Sequence, residues 1–134
     1  MKVIKAKSQP TKKAPAEWFT GKVWLDPIVE APEPARVRAL TVTFDPGSRT
    51  AWHTHPLGQT LHVVSGFGLV GVRNEPPQLI KTGDNVWIRP DEEHWHGATA
   101  DSSMVHIAIQ EALNGRVADW LEEVSQHDYS ISTG

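Results

Sequence analysis

Prolines and glycines break this chain roughly every eight to twelve residues, and that spacing leaves little room for long helices. Asp26-Pro27, Pro32 to Pro34, Asp45-Pro46-Gly47, Pro76-Pro77, Thr82-Gly83-Asp84 and Arg89-Pro90-Asp91 all read as turns. The runs between them are short and rich in β-branched and aromatic residues. They predict strands at Gly21–Leu25, Val37–Phe44, Gly58–Ser65, Phe67–Arg73, Gln78–Lys81, Asn85–Ile88, His94–Ala98 and Met104–Gln110. Many short strands with regular turns imply an all-β sandwich or barrel. One amphipathic stretch stands apart: Val117, Trp120, Leu121 and Val124 recur at i, i+3, i+4 and i+7, which predicts a short C-terminal helix there. Ala16–Phe19 is expected to form a helical turn.

The 134 residues suffice for one domain. Lys2, Lys5, Lys7, Lys12 and Lys13, with Pro10 and Pro15, give residues 1–15 the composition of a flexible arm, so the folded domain is expected over residues 16–134. A net charge of −3 argues against nucleic-acid binding. The absence of cysteine excludes disulfides and thiolate metal sites, and is compatible with a cytoplasmic protein. Neither a secretory signal nor a membrane span is expected, because no apolar run is long enough.

Alternate residues of a strand face opposite sides. Leu40, Val42 and Phe44 therefore share the face expected to line a barrel. Along the last long strand, Met104, His106, Ala108 and Gln110 form one set and Val105, Ile107 and Ile109 the other. Both faces are therefore expected to be half-buried, one looking into a pocket and the other packing on a second sheet, a helix or a partner subunit. A homo-oligomer, dimer or tetramer, is the expectation.

Two histidine pairs carry the chemistry. His53 and His55 lie two apart, so on an extended strand both rings project to one side. Gln59 follows after a turn at Pro56-Leu57-Gly58 and can return its carboxamide to the same centre. His94 and His96 repeat the spacing. His53, His55, Gln59 and His94 make a candidate ligand set for one divalent metal per chain. Three imidazoles and an amide oxygen suit Mn(II), Fe(II), Ni(II), Zn(II) or Cu(II) rather than Ca²⁺ or Mg²⁺. Four neutral ligands leave the ion its full charge and Lewis acidity. His96 and His106 are expected to be pocket residues that do not bind metal, and His62, of opposite parity to Gln59, is expected to be no ligand.

The run from Gly47 through His53, His55 and Gln59 to Gly66 resembles the first motif of the cupin superfamily, with glutamine in place of the usual glutamate. Gly83 and His94 match the second motif in spacing. There Pro90 is displaced by one, Asp91 stands where glycine is expected and Ala98 replaces asparagine. The resemblance implies a double-stranded β-helix, a jelly-roll barrel, with metal inside. Ala16-Glu-Trp-Phe-Thr-Gly21, Arg49 to Thr60, His94-Trp-His-Gly97, Ala108-Ile-Gln-Glu111 and Val117-Ala-Asp-Trp-Leu-Glu122 look like the bacterial cupin-type (R)-selective hydroxynitrile lyases. That resemblance implies a small-molecule lyase acting on cyanohydrins with Mn(II). His96 or His106 would be the base and Gln110 a partner for the nitrile, while Leu40, Val42, Phe44 and Ala108 would form the apolar wall of the substrate pocket. A metal dioxygenase, an isomerase or decarboxylase, and a non-catalytic binding module remain alternatives, since the fold hosts many functions.

Overall fold

The structure, a computed structural model, describes residues 1–130. Twelve strands and one helix follow in order: β1 (Lys12–Lys13), β2 (Phe19–Thr20), β3 (Val23–Glu30), β4 (Val37–Phe44), β5 (Arg49–Thr50), β6 (His53–Thr54), β7 (Gln59–Val72), β8 (Gln78–Lys81), β9 (Asn85–Ile88), β10 (His94–Ala98), β11 (Met104–Glu111), β12 (Asp119–Trp120) and α1 (Gln126–Ser130). The all-β expectation holds. Four of the predicted strands have the predicted limits, because turn residues bound them on both sides. The two expected at Gly58–Ser65 and Phe67–Arg73 are one strand, β7, bent at its middle.

That bend makes the barrel. The first half of β7 pairs antiparallel with β11 and β9, and the second half with β10 and β8, so one strand belongs to both sheets. Gly66 sits at the corner with φ 83°, and a Cβ there would meet the Ser103 carbonyl oxygen at 1.9 Å. Only glycine fits. The first sheet runs β1-β3-β4-β11-β7, and beyond β7 the order continues β10-β5-β2. Between the layers Val23, Val42, Phe44, Leu61, Val63, Ile88, Met104 and Ala108 form the main core.

A second apolar cluster lies outside the barrel, where Trp52, Leu69, Trp95, Val124 and Tyr129 pack together. It explains why the predicted helix over Val117–Val124 is absent. In that stretch Asp119–Trp120 pairs with β6 as β12. Trp52 N–H donates to Glu122 O, and Leu121 N–H donates to Trp52 O. Backbone groups that a helix would use internally are committed to the sheet, and tertiary pairing overrides the local periodicity. The short C-terminal helix instead begins at Gln126, where the Ser125 hydroxyl accepts from the Asp128 N–H at 3.0 Å. Its Tyr129 hydroxyl donates to Ala98 O at 2.7 Å, and the buried Arg49 guanidinium lies 4.4 Å from the Tyr129 ring centroid.

At the other end, residues 16–18 form a turn before β2. Within the stretch expected as a flexible arm, Lys12–Lys13 pairs with Trp24 and Leu25, and Ala14 is buried in the core. Met104, His106, Ala108 and Gln110 are buried, as one face of β11 should be. Val105 and Ile107 are half-buried and Ile109 is exposed on the outer face. No helix among the described residues is long and apolar enough to cross a membrane.

Candidate metal centre

Local backbone geometry brings the histidines to one point. His53 on β6 stands opposite His94 on β10, with ring centroids 4.1 Å apart. His55 leaves the same short strand, its ring 5.0 Å from His53 and 5.3 Å from His94. Gly58, at φ 80°, closes the turn that carries the chain back to Gln59. A side chain at Gly58 would meet the Trp87 ring at 2.6 Å and Ile88 O at 2.8 Å. Asp91, which replaces the motif glycine, keeps the left-handed backbone at φ 62°, a conformation aspartate tolerates better than most residues.

The hydrogen bonds decide which ring nitrogen faces inward. Nδ1 of His53 bonds Ala51 O at 2.8 Å, Nδ1 of His55 bonds Val117 O at 2.7 Å, and Nδ1 of His94 bonds Glu92 O at 2.9 Å. A carbonyl can only accept, so each Nδ1 carries the proton and each Nε2 keeps its lone pair. Nε2 of His55, His94 and His96, Oε1 of Gln59 and Nδ1 of His106 are buried without a hydrogen-bond partner. An unsatisfied buried polar group costs on the order of 1–3 kcal/mol. Three of them, Nε2 of His55 and His94 and Oε1 of Gln59, belong to the candidate ligand set, and leaving all three unmet would take up much of the stability of a domain, about 5–15 kcal/mol. A bound cation would satisfy the inward-facing donors, and all are neutral nitrogen or amide oxygen, so the residues fit a divalent transition metal. The tightest group is His53, His94 and His96, whose ligand atoms lie within 4.8 Å of one another.

His96 and His106 form a second pair. Nε2 of His106 lies 3.0 Å from Nδ1 of His96. A cavity of about 260 Å³ opens beside them. His53, His55, Gln59 and His96 reach its wall, as do Leu40, Val42, Ala108 and Gln110. Phe44 is fully buried one layer behind, 5.3 Å from the His106 ring and 6.0 Å from that of His96. His106 is likewise fully buried and reaches the cavity only through His96. Sequence reasoning missed the opposite wall, formed by Pro15, Trp18, Phe19, Val117 and Trp120. Trp18 and Trp120 stack at 5.2 Å, and Trp120 lies 4.5 Å from His53. The signal in the sequence was the likeness of the segments Ala16–Gly21 and Val117–Glu122 to the hydroxynitrile lyases, which marked Trp18, Phe19, Val117 and Trp120 without placing them at the cavity. His62 is exposed and bonds Asn85 Oδ1 at 2.7 Å, away from the site. A larger cleft of about 410 Å³ beside Trp52 and Arg73 contains no histidine.

The cupin domain family matches residues 40–110. The chain belongs to the cupin family. Over 129 residues this cupin is 50% identical to an (R)-mandelonitrile lyase of Granulicella tundricola, covering 96% of its own length and 98% of the relative. It is similar to the crystal structure of a cupin-like protein from Thermotoga maritima, with a TM-score of 0.85 and 36% identity over 93% of this chain and 95% of that one. A polyketide cyclase from Streptomyces resistomycificus shares the fold at 13% identity, with a TM-score of 0.75 over 99% and 96% of the two chains.

Burial dominates the electrostatics of this cupin's histidines. It pushes His94 and His106 down to about 4, and His53 and His96 well below the ordinary imidazole value, with neighbouring histidines adding to the shift on these last two. His55 is also lowered, chiefly by burial. The site is therefore neutral at pH 7, as ligation requires. In the metal-free protein these groups link stability to pH. Below about 6.5 the unfolded chain takes up protons that the folded chain refuses until about pH 4. Stability is complete above that window and falls as pH drops through it, by up to ~1.4 kcal/mol per unit for each histidine. Thermal melts of chelator-treated protein should show Tm falling steadily from pH 7 to pH 5. A flat profile would mean that the rings are solvated or charged in the folded state.

Proposed function

We propose that this cupin is a divalent-metal-dependent lyase that splits cyanohydrins of the mandelonitrile type into an aldehyde and hydrogen cyanide. One observation carries the reading: an unpaired imidazole nitrogen, Nε2 of His96, stands at the wall of an apolar cavity shared with the metal-binding donors. The 50% identity to an (R)-mandelonitrile lyase supports the substrate class.

His53, His55, Gln59 and His94 would hold the ion, with Mn(II) the favoured metal. Bound there, it would supply the Lewis acidity that lowers the pKa of a substrate hydroxyl. The chain's own residues do the rest. Leu40, Val42, Ala108 and the indoles of Trp18 and Trp120 receive an aryl or alkyl group and exclude water. Nε2 of His96 takes the hydroxyl proton, provided that its Nδ1 carries a proton donated to Nε2 of His106. His106 thus holds the tautomer of His96 from behind without touching substrate. As the carbonyl forms, the bond to the nitrile carbon breaks and its electron pair leaves with cyanide. The proton on His96 Nε2 then passes to cyanide, which restores the base and balances the reaction.

The test is cleavage of racemic mandelonitrile before and after Mn(II) loading, alongside elemental analysis. Mn(II)-dependent release of benzaldehyde that leaves one enantiomer behind is the expected result. About one metal per chain with no cleavage would overturn the lyase reading and favour an oxygenase or a non-catalytic binder on the same centre.

A further inference from the structure

Gln59 can hold a metal only if its oxygen, not its NH2, faces inward, and nothing in a glutamine's own shape enforces that. The surrounding row of residues does. Gln59 on β7 pairs in register with Gln110 on β11, which pairs with Arg38 on β4. The side-chain nitrogen of Gln110 donates to the Arg38 backbone carbonyl at 3.2 Å, and that of Gln59 donates to Gln110 Oε1 at 3.0 Å. Oε1 of Gln59 is left buried and unpartnered.

We infer that Gln110 is a positioning residue that sets the orientation of the Gln59 carboxamide and keeps position 59 a neutral amide. The chain of hydrogen bonds has a forced direction. The Arg38 carbonyl can only accept, so the atom of Gln110 beside it must be the NH2. Gln110 then turns its oxygen to Gln59, and an oxygen can only be met by a donor. Gln59 must present NH2 outward and Oε1 inward. A glutamate at 59 has no donor to give; its carboxylate would face Gln110 Oε1 across a buried contact, oxygen to oxygen. The replacement of the usual cupin glutamate by glutamine at 59 and the presence of glutamine at 110 are thus one feature. These two bonds engage both the oxygen and the nitrogen of the Gln110 side chain, so the residue acts mainly through Gln59 rather than on a leaving nitrile.

The inference rests on Gln59 being a metal ligand, and its test separates the two ideas. Divalent Mn(II) and Co(II) are titrated calorimetrically into the wild-type chain, Gln110→Met, Gln59→Ala and the double variant. Gln110→Met is expected to weaken binding about 10- to 100-fold and to have no further effect once Gln59 is alanine. Equal loss in both backgrounds would mean a general structural role and overturn the proposal, as would unchanged affinity in the single variant. If wild type binds no metal, the ligand reading fails but the orientation is still tested without metal. Side-chain amide hydrogen exchange by NMR in the metal-free wild type should show a slowly exchanging pair that disappears in Gln59→Ala. Exchange as fast as an exposed glutamine would overturn the proposal even if Gln110→Met failed to fold.

Discussion

Replacing His96 with phenylalanine should lower kcat for mandelonitrile cleavage by roughly 10²- to 10⁴-fold, the range that a positioned general base contributes, while about one metal per chain remains bound. The expectation follows from depth. Two histidines were candidates for the base, and only His96 reaches the cavity; His106 is fully buried behind it, 3.0 Å away. Phenylalanine preserves the packing against Phe44 and removes both ring nitrogens. His106→Phe should give a smaller loss, because His96 Nε2 survives and only its tautomer is released. Metal analysis of the same preparations decides the competing role. His53, His94 and His96 have the closest set of ligand atoms. If His96→Phe empties the site, His96 is a ligand and the base must be sought elsewhere.

Stripping the metal should cost both activity and stability. The buried donors Nε2 of His55 and His94 and Oε1 of Gln59 have no other partner, and their orientation is already set by backbone carbonyls and by Gln110. An ion bound to the folded chain alone stabilises it by about 4 kcal/mol at a thousandfold excess over Kd. For a domain of this size that is roughly 10–20 °C in Tm. Chelator-treated protein should therefore melt about that much lower, lose cleavage, and recover both on addition of Mn(II). His94→Ala should abolish the recovery. A melt that does not move with metal would show that the unpartnered donors are not a metal site, whatever their spacing in the chain.

Much of the fold is legible in the sequence. Strand limits are, because proline and glycine turns are local signals and the period-two pattern between them is local too. The gathering of the histidines is, because His53 and His55, and His94 and His96, lie two apart in the chain and project together. Other features are not. The apolar periodicity over Val117–Val124 was real, yet Trp120 joined the sheet opposite His53 and Val124 packed beside Trp95, since pairing with β6 and Trp52 outweighed a short helix. Parity placed Phe44 beside Leu40 and Val42 but could not say that it is buried short of the cavity they line.

Sequence by itself thus determined the all-β class, the cupin pattern and which residues cluster, because each depends on neighbours a few positions apart. Tertiary structure alone decided which ring nitrogen faces inward, which of two histidines stands at the cavity, which indoles form its far wall and why residue 59 is an amide. Each of these depends on partners brought together from distant segments: Ala51, Val117 and Glu92 carbonyls for the ring nitrogens, Trp18 and Trp120 for the wall, and Arg38 through Gln110 for Gln59. Spacing along a strand sets the direction of a side chain, but only the assembled, curled sheet sets its depth and the hydrogen bond at its far end.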